Sequence, residues 1–298
     1  MFFNKLFRSS KYQIGFSLLL LAFCQCGASK GVPRNTTSID AMTFNIRLDM
    51  ASDSLNSWIY RKEALLESVK KYNPDFVGMQ EVLHHQLCYI NENLQEYTFY
   101  GLGRKDGKEE GEYCPIYYKT SKFELLEKGT FALSTTPEII GSKSWDAAYE
   151  RITSYVVLKR CVDGVELVVF NTHYDHVGNK ARVESSKLLK RKMQEIAEDR
   201  PVVLLGDFNV TRKSQAIKTL LKSDIEEARK ESRRVLGPDW SFHAFGKINK
   251  KDRLLIDHIF VSEEFMVEDY RVIDDVASGK FISDHCPIMV RLYLKDNL

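Results

Sequence analysis

The stretch VVLLGDFNV, residues 202–210, decides how this chain is read. Its aliphatic half runs without interruption into Gly206, the pattern of a strand covered on both faces. Asp207 and Asn209 then arrive on either side of Phe208. Gly, Asp and Asn are ordinary turn residues, so a strand closed by an Asx-type turn accounts for the spacing. The alternative is chemical: the strand ends by presenting a carboxylate and an amide to one place.

The pattern recurs outward from that stretch. VELVVFNTHYD (165–175) reads as a strand ending in His173 and Asp175. DFVGMQEV (75–82) ends in Gln80 and Glu81. In IDAMTFNIR (39–47), Met42, Phe44 and Ile46 share one face and Asn45 takes the other. Asp257 sits in LIDHIFVS (255–262), and Asp284 and His285 precede PIMVRLYL (287–294). Each alone reads as a loop or turn. Their recurrence at strand ends does not, because binding and catalytic groups gather where a rigid sheet presents its loops.

Further strands are expected at 112–119, 123–133, 150–159 and 267–273. Helices are expected at 61–75, from His84 to about Gln95, from an Asn179 cap to about Glu198, and near 214–221. Hairpin-length strands with helices between them predict two antiparallel-rich sheets packed face to face and flanked by helices. The chain has 298 residues, 44% hydrophobic and 28% charged, without repeats or a central linker. One domain is expected over 39–298, after a polar linker at 29–38.

The first stretch reads differently. Lys5, Arg8 and Lys11 precede an apolar run, IGFSLLLLAFC (14–24), too short to span a bilayer as a helix. This is the pattern of a secretory leader, extending to about residue 28. Leu21-Ala22-Phe23-Cys24 resembles a bacterial lipoprotein box, although Phe23 stands where a small residue is expected. Cys26, or plain cleavage near Ala28, are the alternatives. Export to the cell envelope is expected, with membrane contact through a lipid on Cys24 or Cys26. The leader carries three of the 43 basic residues and none of the 41 acidic ones, leaving a nearly neutral domain. Such a domain has no strong field for nucleic acid, which weighs against a non-specific nuclease. Cys88, Cys114, Cys161 and Cys286 lack zinc-ligand spacing and are expected to be buried free thiols.

Carboxylate and amide oxygens suit a hard cation such as Mg²⁺, with Mn²⁺ the other candidate. The chemistry that fits is metal-assisted water attack on a phosphate, with imidazoles moving protons. The sequence contains no G-x-S-x-G elbow and no Walker loop.

In this order the motifs TFN, QE, NTH, GDFN and SDH resemble the endonuclease/exonuclease/phosphatase superfamily, whose fold is that of pancreatic DNase I. The resemblance runs from TFNIR to SDHCPI, and is strongest to bacterial exported or lipoprotein members through 145–155 and 171–189. It implies a four-layer α/β/β/α sandwich and a metal-dependent phosphohydrolase. It also implies roles: Glu81 as principal metal ligand, with Asn45 beside it and Asp284 as a further acid near the metal. His173 matches a catalytic histidine that Glu112 orients, and Asp257 holds the second histidine, His285. Asp207 orients or deprotonates the attacking water, Asn209 steadies it, and Arg151 falls at a phosphate-contacting position. Asp207 is the favoured general base, with the Asp257–His285 pair polarising the phosphate.

Asp175 narrows the expectation. On a strand through 165–175 it shares the face of His173, so its carboxylate would accept hydrogen bonds from substrate hydroxyls. The expected function is hydrolysis of a small phosphorylated sugar, inositol or lipid head group by a monomeric enzyme. A secreted endonuclease is the alternative within enzymes, and a non-catalytic binding protein the alternative outside them. Trp58 and Trp145 are expected in loops near the cleft, as stacking or packing residues.

Overall fold

The computed structural model describes residues 37–274 and 281–295, so the expected leader with Cys24 and Cys26, and most of the expected linker, lie outside the described residues. Thirteen strands follow in order: β1 (Ile39–Asn45), β2 (Phe76–Gln80), β3 (Tyr97–Tyr100), β4 (Ile116–Lys119), β5 (Phe123–Ala132), β6 (Ile152–Arg160) and β7 (Glu166–His173), then β8 (Val202–Asp207), β9 (Ile225–Glu227), β10 (Arg234–Leu236), β11 (Asp257–Ser262), β12 (Phe265–Val272) and β13 (Ile288–Leu294). The helices are α1 (Trp58–Tyr72), α2 (His84–Asn93), α3 (Asn179–Ala197), α4 (Gln215–Leu220) and the single turn α5 (Ala228–Glu231). One sheet has the order β10-β12-β13-β1-β2-β4-β3 and the other β5-β6-β7-β8-β11-β9.

Three apolar cores account for the layering. Ile39, Ala41, Val203, Leu205 and Ile259 belong to the core between the sheets. Met42, Phe44, Val77 and Met79 pack on Leu65, Val69 and Leu87 of α1 and α2. Val202, Leu204 and Phe208 pack with Leu188, Leu189 and Met193 of α3 and Ile217 of α4. Alternate residues of VVLLGDFNV thus feed different cores, which is why the strand is apolar throughout. Gly206 is required by close approach: a Cβ there would stand 2.4 Å from the Thr172 carbonyl oxygen of β7.

Two parallel pairs at the sheet centres aim the site. β1 runs parallel to β2, and β7 parallel to β8, so the C-terminal ends of each pair lie together. Register does the rest: His173 is opposite Asp207, and Asp207 is opposite Asp257 of antiparallel β11. Asp257 therefore opens its strand rather than closing it. Gln80 Nε2 donates to Asn171 Oδ1 at 2.6 Å, and Asn171 Nδ2 donates to the Met79 oxygen at 2.7 Å, joining the sheets beneath the site.

Several local expectations change. The strand expected at 112–119 is reduced to β4, while Tyr113 makes only isolated bridges to Val82 and Gly103. β3, β9 and β10 lay in stretches with no strand expectation; their pairing partners decide them. Gly178, not Asn179, is the N-cap of α3, and Asp146 takes its free amides from outside, accepting from Lys180 N at 3.1 Å and Ala181 N at 2.6 Å. Trp58 is buried at the start of α1 against Tyr89, so it packs and does not line a cleft. All four described cysteines are free, but only Cys114 and Cys286 are buried; Cys88 and Cys161 are exposed.

Candidate functional site

A cleft opens over the strand ends, lined by Arg47, Glu81, His173, Asp207, Asn209 and His285 among others. Arg47, Glu81 and Asn209 are non-glycine residues with φ of 60°, 61° and 54°. Left-handed backbone costs roughly 1–2 kcal/mol per residue, so the turns that deliver these groups are held by their surroundings.

The Asn45 side chain stands at the centre. Its Nδ2 donates to Glu81 Oε1 at 3.0 Å and to Asp207 Oδ2 at 2.9 Å. Leu48 N donates to Glu81 Oε2 at 3.1 Å. Ligand atoms of Glu81, His173 and Asp207 all lie within 4.8 Å of one another. Two carboxylates and an imidazole at this spacing form a group that could hold a divalent cation, while the Asn45 NH2 joins the carboxylates. Asp284 stands slightly apart, 3.8 Å from Arg47 Nε. Arg47 is itself held by Asp53 at 2.9 and 3.1 Å and lies 3.9 Å from Glu81.

Asp207 is 1% exposed. Burial pushes its carboxyl up, Asp257 adds to the effect, and the pKa reaches about 7 despite the opposing charge of His285. Asn209 N donates to Asp207 Oδ1 at 2.8 Å, so the Asx-type turn is present and itself orients the carboxylate. Asn209 Nδ2 is anchored on the Tyr174 oxygen at 3.0 Å.

The two histidines flank Asp207, and their surroundings push their pKa values in opposite directions. His173 Nε2 lies 3.6 Å from Asp207 Oδ2, and burial followed by the charges of Arg151 and Arg104 holds it well below the usual imidazole range. His285 Nε2 lies 3.9 Å from the same oxygen, while its Nδ1 is 2.8 Å from Asp257 Oδ2. Burial opposes a charge on His285, but Asp257, Asp207 and Asp284 outweigh it and push the pKa up to about 10. Ser241 Oγ donates to Asp257 Oδ2 at 2.6 Å, fixing the carboxylate that fixes the histidine. Ser283 Oγ donates to the Asn45 oxygen at 2.7 Å, tying the SDH turn to β1.

Glu112 stands beside His173 and is held by Arg104. Arg104 grips its carboxylate at 2.7 Å through both terminal nitrogens, leaving His173 Nδ1 3.7 Å away, beyond hydrogen-bond length. Burial raises the Glu112 pKa in spite of the Arg104 charge. Arg151 reaches the cleft wall, with Nη2 3.1 Å from His176 Nδ1 and Nη1 4.0 Å from Glu112.

Asp175 requires a correction. β7 ends at His173, and the Asp175 carboxylate turns inward, 2% exposed. It accepts from Ala148 N (3.2 Å), Tyr149 N (3.1 Å), Val177 N (3.1 Å) and Gly178 N (2.7 Å). Three amides crowd Oδ2, one meets Oδ1 with Arg151 Nε 3.6 Å away, and burial keeps a substrate hydroxyl out. Strand alternation failed because the chain had already left the strand. Burial raises this carboxyl, but the amides outweigh it and hold its pKa below 3.8, so its stabilisation is present above that value and lost as pH falls. Replacing Asp175 with alanine is expected to cost about 2–4 kcal/mol, since several buried donors lose their acceptor together. An unchanged urea midpoint would contradict this pinning role.

Arg47, Arg104, Tyr149, His176 and Phe242 also line the cleft and escaped the sequence reading. Only Arg47 carried a signal, two places after Asn45 at a strand end. His84 and His85 open α2 outside the cleft, bonded to Tyr113 and Asp49 at 3.0 Å each. Trp145 is half-buried and does not line the cleft. The basic stretch after α4 is paired with acids, with Arg234 bidentate to Asp269 at 2.7 and 2.8 Å and Lys230 3.2 Å from Glu226.

Known proteins place this arrangement. Residues 42–285 match the model of the Endonuclease/Exonuclease/phosphatase family. An endonuclease/exonuclease/phosphatase from Bacteroides vulgatus superposes with a TM-score of 0.85 at 40% identity, covering 87% of this chain and all of that one. The mannosyl-6-phosphatase of Bacteroides thetaiotaomicron gives a TM-score of 0.80 at 36% identity, over 85% of this chain and 99% of that one. Protein angel of Drosophila melanogaster is 26% identical over 203 residues, 66% of this chain and 56% of that protein. The chain spans about half the length, or less, of the curated relatives it matches, 44% for a 3'-5'-exoribonuclease subunit of Encephalitozoon cuniculi. With a family model over most of its length and a structural relative sharing two residues in five, this chain belongs to the endonuclease/exonuclease/phosphatase family, whose members are hydrolases of phosphoester bonds.

Proposed function

We propose that this chain is an exported Mg²⁺-dependent phosphohydrolase acting on a small phosphorylated sugar, inositol or lipid head group. The observation that carries the reading is the cluster at the strand ends: Asp207 Oδ2 lies 3.6 Å from His173 Nε2 and 3.9 Å from His285 Nε2, with Glu81 beside it. A carboxylate near neutral pKa is matched to accept a proton from water. Asp207 takes that proton, and Asn209 keeps the carboxylate in place. The His285 imidazolium, held by Asp257, donates to a phosphoryl oxygen and offsets its charge. Neutral His173 and the Arg151 guanidinium face the substrate from the other side. Glu81 would hold the cation, with Asn45 on its carboxylate and Asp284 as a further acid nearby, and Mg²⁺ there would supply charge stabilisation to the phosphoryl group. Attack by water is direct, with no covalent intermediate on the protein.

The mannosyl-6-phosphatase likeness supports a sugar phosphate over nucleic acid, as does the near-neutral charge of the domain. The test is a panel of mono- and diesters, nucleic acid and sphingomyelin with the leaderless protein, with and without EDTA. Sugar phosphate hydrolysis is expected to fall to background in EDTA and to return with Mg²⁺ or Mn²⁺. Glu81→Ala should be inactive at ordinary Mg²⁺, since ligand loss weakens a cation site by about 10–100-fold or more. Preferential cleavage of plasmid DNA would establish the endonuclease instead. Inactivity of the wild type on every ester would leave the binding protein.

A further inference from the structure

Tyr149 and His176 line the cleft but take no part in the proton transfers or the cation site. Tyr149 is 47% exposed, and His176 is exposed beside it. Their rings stack with centroids 5.4 Å apart and planes inclined by 24°. The guanidinium carbons of Arg104 and Arg151 lie 5.6 and 5.8 Å from the Tyr149 ring centroid, and hydrogen bonds fasten the pair down. Asp175 accepts the amides of Ala148, Tyr149, Val177 and Gly178. Asp146 meanwhile accepts those of Lys180 and Ala181 at the start of α3. The loop bearing Tyr149 and the loop bearing His176 are thus sewn together from both sides.

The hydrogen bonding also sets the character of His176. Arg151 Nη2 lies 3.1 Å from His176 Nδ1, and a guanidinium only donates. Nδ1 is therefore the acceptor, and the ring proton sits on Nε2. His176 offers a neutral N–H beside an aromatic face, a combination suited to a hydroxyl-bearing ring.

We infer that Tyr149 and His176 form the subsite for a sugar ring, the aromatic pair packing on its C–H face and His176 Nε2 donating to a hydroxyl. The inference rests on the phosphohydrolase reading, with the phosphate between His173 and His285. The cleft holds about 520 Å³, within the range of pockets that enclose one small ligand. Asp175 and Asp146 are positioning residues that act through this pair. The subsite also accounts for why a buried acid follows His173 at all: it builds the sugar wall instead of touching the sugar.

The test compares kcat/KM for a hexose 6-phosphate and for glycerol 3-phosphate, which has no ring, in wild type, Tyr149→Ala, Tyr149→Phe and His176→Ala. The ratio of the two values is expected to fall about tenfold in Tyr149→Ala and in His176→Ala, mostly through KM, and to survive in Tyr149→Phe. A ratio unchanged in both alanine variants, while the wild type hydrolyses both esters, would overturn the subsite and leave the phosphohydrolase reading intact. A wild type that prefers nucleoside monophosphates, with the Tyr149→Ala loss appearing on them, would overturn the sugar assignment. A wild type inactive on all phosphate esters would overturn both readings together.

Discussion

Asp207→Asn is expected to lower kcat by about 10²–10⁴, the loss that follows removal of a positioned general base. The variant keeps the shape of the side chain but accepts from only one of Asn45 Nδ2 and Asn209 N, so the loss is read on kcat. The same substitution should raise the stability of the metal-free protein. Asp207 has a pKa of about 7 in the fold against 3.8 for an ordinary aspartate. A carboxyl raised on folding stabilises the fold fully below its ordinary pKa, and that contribution is lost as pH rises through the folded value. In EDTA at about pH 8, D207N should melt above the wild type, and the gap should narrow as the pH falls toward about 4. A variant less stable than wild type at high pH would show that burial does not strain this carboxylate. Undiminished kcat would move the base elsewhere.

Asp257→Asn acts through a histidine. Asp257 heads the carboxylates that carry His285 to about 10 against the opposing effect of burial. With the charge gone, the basic limb of kcat/KM against pH should move from about 10 toward 6.5, the ordinary imidazole value. A loss in kcat of about 10²–10⁴ should accompany it, because both tautomer and charge are disturbed. Stability follows the opposite rule to that for Asp207. A histidine raised on folding stabilises fully below 6.5, and the contribution fades as pH rises through 10. The variant should therefore be less stable than wild type at neutral pH, with the difference closing in strong alkali. A basic limb that stays in place would assign the high pKa to some other group.

Both predictions concern residues visible in the sequence, and their visibility has a physical cause. Asp207, Asp257 and His285 each adjoin an apolar strand, and a strand has a period of two and a definite end. The centre of each sheet was legible for the same reason, because strands covered on both faces read as continuous apolar runs. The short edge strands β3, β9 and β10 lack that pattern and depend on their neighbours for existence. α1 begins at Trp58, three residues before the periodicity starts, since Trp58 is pulled into the α1–α2 core.

The sequence by itself determined the two-sheet architecture and the polar groups that gather at the strand ends. Those features follow from local periodicity, which every strand carries in its own residues. The tertiary structure decided what loops and long side chains do. It gave Glu112 to Arg104, turned Asp175 inward onto four amides, and brought Arg47 between Glu81 and Asp284. It also set Tyr149 against His176 across 27 positions of chain. A loop has no period to fix where its side chains point, so hydrogen-bond partners far away in sequence make that choice.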